Sequence, residues 1–99
     1  MNDIEENNLV LLTNALAALE TPEEAQGFLY ELCTHKEIRI LAQRAGIAEL
    51  LIHQISYKNV GEMLGFPSTA TINRVSEIVK NGEGILGRVI MRSSGAQGK

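Results

Sequence analysis

The stretch from Tyr57 to Val79 constrains the fold of this chain more than any other. It reads as a short helix, a glycine turn and a second helix. Two helices that cross closely need a small residue on the first where it meets the second, and Gly61 stands there. The turn needs a residue that tolerates positive φ, and Gly65 follows four positions later. Val60 and Leu64 need apolar partners, and Phe66, Ile72 and Val75 have the spacing to supply them. These are the steric rules of a helix-turn-helix, expected over about 56–80. The exposed face of its second helix is then Ser68, Thr69, Ala70, Thr71, Asn73 and Arg74. None of these is acidic, whereas a plain solvated helix face carries Glu and Lys pairs. Short polar side chains let a helix backbone approach base edges. Thr and Ala methyls suit a thymine methyl, Asn suits adenine, and Arg suits guanine or phosphate.

The rest of the chain is cut into helices by caps and stops. Asp3 is expected to cap a first helix, with Glu6 at its third position. Ile4, Leu9, Leu12, Leu16 and Leu19 recur at helical spacing, and Val10, Leu11, Ala15, Ala17 and Ala18 fill the other faces. A terminal helix apolar around most of its circumference is buried on several sides or wrapped by a partner. Thr21-Pro22-Glu23-Glu24 stops that helix and starts the next, with Glu24 closing a capping box. This second helix runs to about Cys33 with Phe28, Leu29 and Leu32 inward. Thr34-His35-Lys36-Glu37 repeats the capping-box pattern. It opens a third helix whose stripe is Ile38, Leu41, Ala45, Ala48, Leu51 and Ile52, ending near His53 or Gln54. Ser56 caps the fourth helix, which holds Val60, Met63 and Leu64. Pro67 or Ser68 opens the fifth, and Asn81-Gly82 ends it. A last helix around Ile85, Leu86, Val89 and Ile90 is loosened by Gly84 and Gly87. The expectation is one all-α domain of about six helices over 1–92, with a disordered tail at 93–99.

Composition excludes several function classes. With two Phe, two Tyr and no Trp in 99 residues, the core is aliphatic. One cysteine, Cys33, leaves neither a disulfide scaffold nor a cysteine-based zinc site. His35 and His53 are too few and too isolated for a closed metal site. No apolar run reaches the ~18 residues that a membrane span needs, and the acidic start MNDIEENN has the wrong sign for a secretory or transit peptide. A cytoplasmic address is expected. The net charge of −3 hides an asymmetry: residues 1–50 carry −6 and residues 51–99 carry +3. The basic half is the one that holds the helix-turn-helix, as a polyanion-facing end would.

Residues that look chemical have simpler readings. Cys33 next to His35 invites a nucleophile–base pair, but it closes an apolar stripe and reads as a buried structural thiol. His53 at a helix end favours the dipole and reads as a surface residue. Glu20, Glu23 and Glu24 cluster at a helix start for the same electrostatic reason. Gly82, Gly84 and Gly87 lack the strand and the Lys-Ser/Thr of a phosphate loop. An enzyme is not expected.

From Leu32 to Lys80 the chain resembles the Trp repressor family, in particular its repressor-like branch. Thr34-x-x-Glu37, Gln43-Arg44 and Ala48-Glu49-Leu50-Leu51 are similar to the helix before that family's reading motif. Leu64-Gly65, followed by Ser68-Thr69-Ala70-Thr71-Ile72-Asn73-Arg74-Val75, is similar to its turn and reading helix, with a turn one residue longer. The resemblance implies a homodimer intertwined through its N-terminal helices, each protomer offering one reading helix to double-stranded DNA. It also implies a regulator, most often a repressor, and a possible L-tryptophan pocket. Thr34, Arg44 and Arg74 match pocket residues. Val75 stands where the family has a glycine, and Ile78 where a serine meets the ligand amine, so both disfavour tryptophan. On this reading Thr69, Ala70, Thr71 and Asn73 meet bases, and Lys58, Ser68, Arg74 and Lys80 meet phosphates. Two other readings follow from the same residues: a helical protein–protein interaction module without DNA binding, and a sensor holding a small anion between Arg44 and Arg74.

Overall fold

The structure is a computed structural model that describes residues 1–65, 67–80 and 84–98, the last five of these by their backbone alone. Phe66, expected to pack under the turn, and Asn81-Gly82, expected to end the fifth helix, lie outside the described residues. Among the described residues the secondary structure is all α-helical: α1 (Asp3–Ala18), α2 (Pro22–Leu32), α3 (His35–Ile52), α4 (Tyr57–Met63), α5 (Thr69–Lys80) and α6 (Ile85–Gly98). The chain divides into two compact units, Met1–Ile38 and Arg39–Lys99.

In the first unit the helix boundaries follow local hydrogen bonds. The cap of α1 is Asn2, not Asp3: its side chain accepts from the Glu5 amide, and the Glu5 carboxylate accepts from the Asn2 amide, both at 2.9 Å. The whole capping box is thus displaced one residue toward the N-terminus, because Asn2 and Glu5 complete the reciprocal pair that Asp3 and Glu6 would otherwise have formed. Thr21 caps α2 through the Glu24 amide at 3.0 Å, with Pro22 in the first turn. Glu24 does not return to Thr21. Its carboxylate accepts from the Glu20 amide at 2.9 Å, so it ties the linker rather than closing the box. Thr34 and Glu37 form the full reciprocal pair at the start of α3, at 2.8 and 3.1 Å. Neither α1 nor α2 has a buried residue. Leu32, expected inward, is exposed, and Cys33 is half-buried rather than buried.

The second unit holds the core. Ile47 and Ala48 from α3, Val60 from α4, and Ile72 and Val75 from α5 are buried against one another. Leu50, Leu51, Ile55, Leu64, Val79, Leu86 and Ile90 pack around them. Ile47, Val60 and Val75 are the largest wholly buried side chains, each contributing roughly 1.5–3 kcal/mol of burial. The inward face of α3 differs from the expected stripe. Ile47 is at its centre, while Leu41 is exposed. Rotation of that face follows from where Val60 and Val75 lie, which the periodicity of α3 alone does not contain. α3 ends at Ile52 in a Schellman motif: the Gln54 amide donates to Leu51 at 2.9 Å and the Ile55 amide to Leu50 at 3.0 Å, with Gln54 at φ 66°. α6 packs on α5 and continues through Ser93 to Gly98, beyond the end expected near Arg92.

Candidate nucleic-acid interface

Each part of the helix-turn-helix has a local cause. Ser56 caps α4 by accepting from the Asn59 amide at 3.3 Å. Val60 and Gly61 are buried, so the small residue of α4 lies in the packed interior. Gly65 has φ +76°, and a Cβ there would meet nothing within 4 Å. The constraint on Gly65 is therefore conformational and not steric: the left-handed backbone region excludes most side chains. Ser68 caps α5, accepting from the Thr71 amide at 3.1 Å. Its hydroxyl also shares a hydrogen bond with the Thr71 hydroxyl at 2.8 Å.

The inward side of α5 is Ile72, Val75 and Ser76, all buried. Thr69, Ala70, Asn73 and Arg74 are exposed and lie on one face at helical spacing. Thr71 is half-buried, and its hydroxyl is taken up by Ser68. Ser68 and Lys58 are exposed. Lys80, also exposed, lies 3.7 Å from the Glu77 carboxylate, a surface pair one turn beyond Arg74. So the exposed face of α5 is free of acid for its first half and mixed in its second.

One side chain outside the expected set joins this arrangement. The Tyr57 hydroxyl donates to the Ser76 hydroxyl, linking the first residue of α4 to the middle of α5. Ser76 is the buried polar residue of this core, so the bond satisfies a group that would otherwise be orphaned. No local pattern announces a pair nineteen residues apart. The one available signal was a lone Ser between Val75 and Ile78 on an otherwise apolar side.

The residues of the expected ligand pocket fall into both units. Thr34 belongs to the first, where its hydroxyl is engaged in the cap of α3. Arg44 and Arg74 belong to the second and are exposed, with no ion pair to a described residue. Val75 is 1% exposed and fills core space that a glycine would leave open. Ile78 is half-buried. Among the described residues no cluster of three His, Cys, Asp or Glu side chains is placed to hold a metal ion. No described helix is long and apolar enough to cross a membrane.

The family model for the Trp repressor protein matches residues 7–94, a span that covers α4, the turn and α5. The chain belongs to the Trp repressor family. This is a family of helix-turn-helix DNA-binding regulators. The chain is also 38% identical over 71 residues to the uncharacterized protein YerC of Bacillus subtilis (strain 168), a match spanning 72% of this chain and 67% of YerC. No solved structure matches. Membership in the Trp repressor family agrees with the all-helical architecture, in which Val60 of α4 and Ile72 and Val75 of α5 share one core.

Proposed function

We propose that this chain is a sequence-specific, DNA-binding transcriptional regulator, a repressor that reads a near-palindromic operator as a homodimer in the cytoplasm. The carrying observation is the first half of α5, largely exposed, short-chained and free of acid, on a helix that follows α4 through a glycine turn with a left-handed backbone at Gly65. Thr69, Ala70 and Asn73 meet base edges. Thr71, with its hydroxyl committed to Ser68, offers only its methyl. Lys58, Ser68, Arg74 and Lys80 meet phosphates. The chain acts as one helical domain over 1–92, and it is not an enzyme.

The dimer is supported by α1. Ile4 is 71% and Leu11 69% exposed, and α1 and α2 leave between them an open cleft of about 500 Å³ lined by Ala15, Leu19 and Phe28, with Glu24 and Glu31 also on its walls. Exposed apolar surface of this kind marks an interaction face, and on this reading a second copy of the chain covers it. The two reading helices then enter successive major grooves about 34 Å apart. A basic half of only +3 per protomer gives weak non-specific affinity and a shallow salt slope. L-Tryptophan is not the effector, because Val75 fills core space and Ile78 offers the ligand amine no acceptor.

Selection of duplexes from a random pool tests the reading. A two-fold symmetric consensus is expected. The double variant Thr69→Asp, Asn73→Asp should lose binding to that consensus while keeping its stability, since an acid at Thr69 sits favourably at the start of a helix. Unchanged binding by the variant, or a pool with no enriched sequence, refutes the proposal. The second outcome would favour a protein–protein interaction module.

A further inference from the structure

The outward face of α5 is chemically narrow, and its make-up selects among base pairs. At roughly 100° of helix per residue, Ala70 points away from buried Ile72, Val75 and Ser76. Asn73 and Arg74 lie on its two sides, and Thr69 lies beyond Asn73; all four are exposed. The centre of the face is thus a single methyl, which lets the helix backbone come close to a groove floor. The hydroxyls at the start of the helix are engaged there. Ser68 and Thr71 share a hydrogen bond at 2.8 Å, and Ser68 accepts from the Thr71 amide at 3.1 Å. A reading helix meets base edges with its N-terminal residues. Glu77, two turns beyond Ala70 and 3.7 Å from Lys80, therefore stands outside the reading set.

What the set can read follows from its donors and methyls. In the major groove guanine presents two acceptors, N7 and O6, and the matching side chain is the donor fork of an arginine, or a lysine. Arg74 is the one basic residue among 68–79. Its long stem carries the guanidinium to the phosphate rim, whereas Thr69, Ala70 and Asn73 are too short to reach anything but base edges. Those three hold two methyls and one carboxamide. The carboxamide matches adenine, donating to N7 and accepting from the N6 amine, and the methyls match the thymine 5-methyl. A G·C pair in the same place has no methyl for Thr69 and Ala70 and no N6 amine for Asn73. We infer that the half-site read by α5 is built of A·T pairs, with an adenine against Asn73 and thymine methyls against Thr69 and Ala70. This rests on the DNA-binding reading above and adds to it the identity of the bases.

The test uses the full chain and the duplex enriched from the random pool. Uracil in place of thymine deletes one methyl and keeps the pairing, and 7-deazaadenine deletes the N7 acceptor and keeps the pairing. Each contacted thymine replaced by uracil should weaken binding about fourfold. The 7-deazaadenine should weaken it about tenfold. Thr69→Ser removes a methyl and keeps the hydroxyl, so in this variant the uracil effect should vanish at the thymine that Thr69 meets. The 7-deazaadenine effect should vanish in Asn73→Ala. A residue with a merely structural role would not show such coupling. Arg74→Gln should weaken all duplexes alike and lower the salt slope by about one. A consensus half-site of G·C pairs overturns the inference and leaves the DNA-binding reading standing. So does full binding of the uracil and 7-deazaadenine duplexes, or loss of a guanine preference in Arg74→Gln. A pool with no enriched sequence ends both.

Discussion

Replacing Gly65 by alanine isolates the backbone demand of the turn. Nothing lies within 4 Å of a Cβ built at this position, so no clash adds to the cost. What remains is conformational. At φ +76° an L-residue with a Cβ pays about 1–2 kcal/mol. The unfolded chain loses freedom when glycine becomes alanine, which returns about 0.4–1 kcal/mol. The net loss is therefore about 1 kcal/mol, read as a lower urea midpoint with an unchanged slope at fixed protein concentration. Gly65→Asn should lose less, because asparagine visits the left-handed region more readily than alanine. A loss above about 3 kcal/mol would mean that the position is packed, beyond any left-handed backbone penalty. A loss equal for alanine and asparagine would mean that φ is not the cause. Either result would show that the left-handed backbone is not what requires a glycine at position 65.

Other outcomes follow from the same contacts. Tyr57→Phe leaves the buried Ser76 hydroxyl without its donor and should cost about 1–3 kcal/mol. Adding Ser76→Ala to that variant should recover part of the loss, and a double-mutant cycle in urea checks it. Calorimetry with L-tryptophan should give no micromolar binding, since Val75 occupies core volume. Micromolar affinity would show that the arginines at 44 and 74 form a pocket in spite of it.

Short-range features were legible in the residues themselves. Thr21, Thr34, Ser56 and Ser68 cap helices by bonding an amide three residues on, an interaction complete within one turn of chain. Gly65 was legible for the same reason, because φ is a property of a single residue. Where two neighbouring boxes competed, as Asn2–Glu5 and Asp3–Glu6 do, the pattern was ambiguous by one position and the hydrogen bonds decided it. Most of the exposed face of α5 was also readable: Thr69, Ala70, Asn73 and Arg74 are exposed as expected, whereas Thr71 is half-buried with its hydroxyl taken up by Ser68.

Tertiary structure decided what depends on neighbours distant in sequence. Periodicity makes α3 amphipathic, but only its packing against Val60 and Val75 brings Ile47 to the centre and leaves Leu41 outside. The Tyr57–Ser76 bond closes a loop of nineteen residues, and no cap or turn rule reaches that far. Backbone angles and capping bonds are settled within a few residues of chain, whereas burial is settled by whatever the completed fold brings alongside.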